Sequence, residues 1–116
     1  METHNPDDAL AVYVKEVGNV EPLTKDEEAK LFRELGAQDE AREIVAERRL
    51  IEGHLAQVVS IAQKRSTSGM PMLDLIREGN LGLMNAIRKF AQKPIGEFTD
   101  YAADCIDDAI KARFGS

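Results

Sequence analysis

Apolar residues recur at steps of three and four from one end of this chain to the other, and nowhere do they alternate with polar ones. A strand buried on one face needs a period of two, whereas a helix needs 3.6. The sequence therefore predicts an all-α protein of about five helices. Asn5 followed by Pro6 reads as an N-cap with proline at the first helical position, opening a helix with Leu10, Val14 and Val17 on its apolar stripe and Gly18 as its stop. Thr24 to Glu27 has the S/T-x-x-E pattern of a capping box, and the helix it opens carries Leu31 and Leu35 before Gly36. From Asp39 to about Gln63 the apolar positions are Ala41, Ile44, Val45, Ile51, Leu55, Val58, Val59 and Ala62, with Gly53 as a candidate bend or break. The residues 66–69 read as a turn, after which Pro71 begins a helix with Leu73, Ile76, Leu83, Ile87 and Phe90 on its core face. Lys93 to Gly96 is a second connection. Thr99 is expected to cap a last helix with Ala102, Ile106, Ala109 and Ile110 turned inward, ending near Gly115.

With 116 residues, 43% of them apolar, the chain is expected to form one domain around one modest core. No apolar run approaches the ~20 residues of a membrane span. The opening METHNPDD lacks the basic and then apolar layout of a secretory leader. A single cysteine excludes an internal disulfide framework and fits a reducing, cytoplasmic setting. Two histidines and one cysteine, far apart in sequence, leave no ordinary zinc set, and no metal or other cofactor is expected.

Charge is unevenly spread. Residues 1–53 carry 7 basic and 14 acidic side chains, residues 54–93 carry 6 and 2, and residues 94–116 carry 2 and 5. Acidic flanks around a basic middle disfavour attraction of the whole surface to nucleic acid, though they allow a local basic patch.

Catalysis finds little support. His4 lies near the terminus, and His54 stands alone on a long helix with no Cys, Ser or Asp partner that spacing can place beside it. Cys105 follows Asp104, an anion that opposes thiolate formation, and reads as a small buried hydrophobe. Asp107 and Asp108 point about 100° apart on a helix, an arrangement that suits a solvated face better than a metal. The chain is not expected to be an enzyme.

The helix from Met72 to Phe90 carries more outward apolar surface than folding requires. With Met72, Ile76, Leu83, Ile87 and Phe90 on the core side, Asp74, Arg77, Glu78 and Leu81 project from nearly the opposite side, and Leu73 and Met84 share an edge. Leu81 is thus expected to stand exposed among charges. Gly79 and Gly82 each cost about 1 kcal/mol against alanine within a helix, which makes sense where a partner helix comes close to the backbone.

The run from Leu73 to Met84, LDLIREGNLGLM, continuing to Ala86, Ile87, Arg88, Lys89 and Phe90, resembles the polymerase-docking segment of the sigma-seventy family of bacterial transcription initiation factors. Leu50, Ile51, Glu52, Leu55 and the stretch Val58 to Ala62 resemble the helix before it. Asp7 to Gly36, with YVKEVG at 13–18 and PLT at 22–24, resembles the family's N-terminal conserved segment. The likeness covers roughly 7–114 and divides a single sigma-like domain, 1–116, into an N-terminal segment (about 7–36), docking helices (about 39–93) and a minus-ten helix (about 94–116). It implies a compact helical bundle like the family's core-binding domain and a partner, the coiled coil on the largest-subunit clamp of the RNA polymerase core. The implied contact residues here are Leu55, Val58, Leu73, Asp74, Glu78, Asn80 and Met84, joined by Leu81 from the outward stripe and by Arg77, which stands where the family usually has Gln.

The last helix departs from the resemblance. The family melts the promoter minus-ten element with aromatics, on which unpaired bases stack, followed by basic and amide side chains that hold phosphates and read base edges. Phe98 and Tyr101 remain here. Asp104 and Cys105 occupy the place of a tryptophan pair, Asp107 and Asp108 that of Arg and Gln, and Gly96 and Glu97 precede the conserved Phe. His54 replaces a usual Asn. The anions at 97, 104, 107 and 108 would repel phosphate, so promoter DNA binding is expected to be weak or absent, with Phe98 and Tyr101 as core aromatics. Three functions are compatible with this pattern. One is a polymerase-docking protein with promoter recognition and melting impaired or lost. Another is a divergent or split active initiation factor, and the last a mimic captured by an anti-sigma factor.

Overall fold

The computed structural model describes residues 6–66 and 70–114, and these form five α-helices with no strand among them: α1 (Pro6–Gly18), α2 (Lys25–Leu35), α3 (Glu40–Arg65), α4 (Met72–Gln92) and α5 (Phe98–Phe114). The expected cap at Asn5, most of the 66–69 turn and the stop near Gly115 lie outside the described residues.

Local chemistry sets the helix starts. Thr24 Oγ1 accepts from the Glu27 amide at 3.1 Å, and Glu27 Oε1 accepts from the Thr24 amide at 2.9 Å, completing the capping box that opens α2. That backbone hydrogen bond holds the Glu27 carboxyl below the usual carboxylate range. Asp39 Oδ1 accepts from Ala41 and Arg42 at 3.1 and 3.3 Å and opens α3. α5 begins two residues earlier than a cap at Thr99 would give, at Phe98, with the Tyr101 amide donating to the Glu97 carbonyl at 3.2 Å. Thr99 is therefore inside the first turn and does not cap it.

α3 is the spine of the bundle. Ala46, Leu50, His54, Val58 and Ala62 are buried along it at four-residue steps. Such a line drifts about 40° per step, so it winds around the helix and meets different neighbours along its length. His54 and Gln57 touch the start of α5, and Arg65 reaches its middle at Asp107. α5 thus covers only the C-terminal half of α3. The N-terminal end overhangs it, and Ala41, Ile44 and Val45, expected in the core, are exposed, the last two by 54% and 63%.

Gly53 does not break α3. A Cβ there would lie 2.6 Å from the Leu23 side chain, so the missing side chain makes a notch into which the approach to α2 is seated.

On α4 the core face takes in Leu75 and Ala86, with Ile76, Leu83 and Ile87, while Leu73 and Phe90 are only half-buried. The two internal glycines admit neighbours from the same chain. A Cβ at Gly79 would sit 2.7 Å from Val58 Cγ1, and one at Gly82 would sit 2.7 Å from the Cys105 carbonyl and 2.8 Å from Ala109 Cβ. The cost of glycine in a helix is offset by close packing of α4 on α5. Phe98, Ala102, Ile106 and Ile110 complete the core from α5, and Ala109 is half-buried beside Gly82.

Candidate functional site

Two neighbouring helix faces carry the residues that the sequence singled out. The first is the outward face of α4. Asn80, Leu73, Met84, Arg77, Leu81, Asp74 and Glu78 follow one another round about 160° of the helix, opposite the buried side. Leu81 stands 53% exposed near its middle, as expected from its charged neighbours. Arg77 lies 3.8 Å from Asp74 one turn away, an exposed pair of small energetic weight. Glu78 lies 3.9 Å from Arg113 of α5. Asn80 Nδ2 donates to the Tyr13 hydroxyl at 3.4 Å, and its Oδ1 is buried with no partner among the described residues.

The two residues expected from α3 behave differently. Leu55 is half-buried and offers an apolar edge. Val58 has no exposed surface at all: it packs in the core against the place where a Gly79 side chain would be, and it is not part of any surface.

The second face belongs to α5, and the structure divides its residues into three groups. Phe98 is core. Its ring lies 5.0 Å from Phe32, 5.2 Å from Phe90 and 4.9 Å from His54, all edge-on. Tyr101 is half-buried, 5.9 Å from Phe90, and burial pushes its phenol up, with the adjacent Cys105 adding to the effect. Cys105 is half-buried instead of fully enclosed, in a shallow groove between α4 and α5 with Leu81, Asn85, Lys89 and Asp108.

Asp107 turns sideways. Its two oxygens take 2.7 Å hydrogen bonds from Arg65 Nε and a terminal guanidinium nitrogen, and Lys111 lies 3.7 Å away. The Arg65 hydrogen bonds hold the Asp107 carboxyl below the usual range, and the same contact raises Arg65. Glu97 is likewise paired, 2.9 Å from Lys25 Nζ, and that contact raises the lysine. The expectation of four free anions is thus corrected: two of them are neutralised in place, and each occupies a cation that could otherwise reach a phosphate.

The outermost group is Asp104 and Asp108, joined by Asp100, which sequence reasoning passed over. All three are exposed, at four-residue steps, and so form one acidic row about 12 Å long. The spacing was visible in the sequence, but Asp100, between Phe98 and Tyr101, is not itself one of the positions compared with the family's aromatic and basic residues.

His54 was also misjudged. It is not alone but buried, with Nε2 2.7 Å from Glu28 Oε1 and Nδ1 3.2 Å from Gln57 Oε1. Gln57, one turn along, was a local signal for this contact, and Glu28 on another helix left none. No group of three or more His, Cys, Asp or Glu side chains is arranged to hold a metal among the described residues. No helix of the described residues is long and apolar enough to cross a membrane.

Comparison with known proteins takes in both helices and much of the chain around them. Residues 50–115, from the middle of α3 through α5, match the family model for sigma-70 region 2. The chain is 44% identical over 104 residues to the RNA polymerase sigma factor SigA of Lactococcus lactis subsp. cremoris, and this covers 90% of the chain and 28% of that protein. It is 45% identical over 103 residues to SigA of Listeria monocytogenes serovar 1/2a, covering 89% of the chain and 26% of that protein. It therefore spans little more than a quarter of the length of these curated relatives. The matched residues place this chain in the sigma-70 family, with region 2 spanning its C-terminal half.

Proposed function

We propose that this chain docks, through the outward face of α4, on the clamp coiled coil of the bacterial RNA polymerase core, and that its α5 has lost most of the ability to recognise and melt a promoter minus-ten element. It would then act in the bacterial cytoplasm as a non-enzymatic transcription protein that occupies the clamp and modulates initiation. The observation that carries the reading is the contrast between adjoining faces. α4 offers an exposed Leu81 among Asp74, Arg77 and Glu78, an apolar centre with a charged rim suited to a partner helix. α5 offers Asp100, Asp104 and Asp108, with Phe98 withdrawn into the core. An anion on that surface repels phosphate where a cation would release counterions.

The test is competition between the purified chain and a housekeeping sigma factor for core polymerase, followed by binding of single-stranded minus-ten DNA to the complex. Mutually exclusive polymerase binding with no gain in DNA affinity is the expected result. DNA binding in the complex would make the chain a divergent or split initiator instead. Absence of polymerase binding at micromolar protein would leave capture by an anti-sigma factor as the surviving function.

A further inference from the structure

His54 is 7% exposed where α2, α3 and α5 meet, and docking makes no use of it. Its hydrogen-bond partners fix how many protons the site holds. Gln57 Nε2 donates to the Thr99 carbonyl at 2.9 Å, and a carbonyl can only accept. Turning the amide over would set two oxygens against each other, so Gln57 keeps Oε1 toward the imidazole. The facing atom, His54 Nδ1, must then carry a hydrogen to make the 3.2 Å contact. This leaves Nε2, 2.7 Å from a Glu28 carboxylate oxygen. A bare nitrogen there would set lone pair against lone pair. The contact therefore needs a second proton, on Nε2 or on Glu28, beyond the one that a neutral imidazole and a carboxylate hold between them.

We infer that His54 and Glu28 form a proton-operated clasp: the extra proton ties α2 to α3 and α5, and its loss at rising pH lets α2 go. The two side chains are only 9% and 19% exposed, so water is poorly placed to replace the lost bond. The other groups around the imidazole do not supply a substitute. The hollow beside it is lined by Lys25, Gln57 and Thr99, and Lys25 is held 2.9 Å from Glu97. From α5, Phe98 meets the ring edge-on, and from α4, Phe90 stands behind Phe98.

The remaining polar ties of α2 to the rest of the chain are weak. The Lys25–Glu97 pair is exposed, and Glu34 lies 3.9 Å from Arg42. Release would also lift Phe32 from Phe90 and Phe98, which it meets at 5.1 and 5.0 Å, and uncover that aromatic cluster. The sign follows from proton counting. The contact itself needs the extra proton, so removing that proton removes the bond, and stability falls as pH rises.

Thermal unfolding of the full chain, His54→Asn and Glu28→Gln between pH 5.5 and 8.5, with nitrogen NMR of the His54 ring in the unmodified protein, tests the clasp. The midpoint of the unmodified protein should fall by about 5 °C across that range relative to either variant. The ring should show both nitrogens protonated, or strong proton sharing at Nε2, at the acid end. Parallel pH profiles in all three proteins would overturn the clasp. So would a ring with a hydrogen on Nε2 and a bare Nδ1 throughout, a result that stands even if one variant fails to fold.

Discussion

Arg65, at the end of α3, and Asp107, midway along α5, face each other through two parallel 2.7 Å hydrogen bonds. They are 42 residues apart in sequence. The pair uses the planar fork of the guanidinium on both carboxylate oxygens, a geometry that lysine could not reproduce. It ties down the side of α5 that would otherwise carry a free anion.

Asp107 gives the fold an acid sensitivity of defined sign. A carboxyl whose folded value lies below its unfolded value contributes stability above the unfolded value and loses it as pH falls through the folded one. Asp107→Asn should therefore unfold at a lower temperature than the unmodified protein at pH 7, and the gap should close toward pH 3. Calorimetric or circular-dichroism melts across that range check it. Asp107→Arg should be worse than Asn at every pH, since it sets two guanidinium groups side by side.

Gly82→Ala tests the helix contact. The added methyl would meet the Cys105 carbonyl and Ala109 at less than 3 Å, contacts formed by backbone and a short side chain that cannot swing away. Overpacking of about 1–3 kcal/mol should outweigh the ~1 kcal/mol gain in helix propensity. Gly18→Ala, with nothing within 4 Å of its new Cβ, should not destabilise the protein. Urea titration of both variants gives the comparison.

Leu81→Glu should leave the melting temperature within a degree or two, because the side chain it replaces is largely in solvent. Core polymerase binding should weaken by roughly tenfold or more if Leu81 is the apolar centre of the interface. Asp74→Lys, which reverses a rim charge, should act in the same direction. Fluorescence anisotropy against core polymerase reads both.

Asp104→Lys with Asp108→Lys should raise affinity for single-stranded DNA and steepen its salt dependence by roughly 0.7 logarithmic units per phosphate gained. Both side chains are exposed, so the fold should tolerate the change. An unchanged salt slope would show that the acidic row is not what keeps DNA away.

Phe98→Ala should cost about 3–5 kcal/mol, because the ring is the junction of the aromatic cluster rather than a stacking platform. Chemical denaturation measures it directly.

The helices, and the capping box and Gly36 stop of α2, were legible in the sequence because period and capping are local properties. Ile44 and Ala62 show where such reading stops. They lie 18 residues apart, five full turns, and so occupy the same line along α3. Ala62 is buried and Ile44 is not, so the neighbouring helices cover one end of that line and not the other. Periodicity finds the line but not how far a neighbour covers it. The same limit applies to the site. Leu81 was legible because its exposure follows from α4 alone. The partners of His54, Asp107 and Glu97 are on distant segments, and nothing in local spacing pairs Glu28 with His54 or Lys25 with Glu97. Val58 was misplaced because its helix position was carried over without knowing that α4 would press Gly79 onto it.

The glycine contact between α4 and α5 has a geometric consequence. With the Gly82 backbone set directly against the Cys105 carbonyl and Ala109, the two helices have no compliant layer between them there that could take up a change of angle. Their outward faces behave like two sides of one set square. A partner that gripped α4 would thereby fix the bearing of Asp100, Asp104 and Asp108, and the acidic row would be aimed by that grip rather than free to search for a contact of its own.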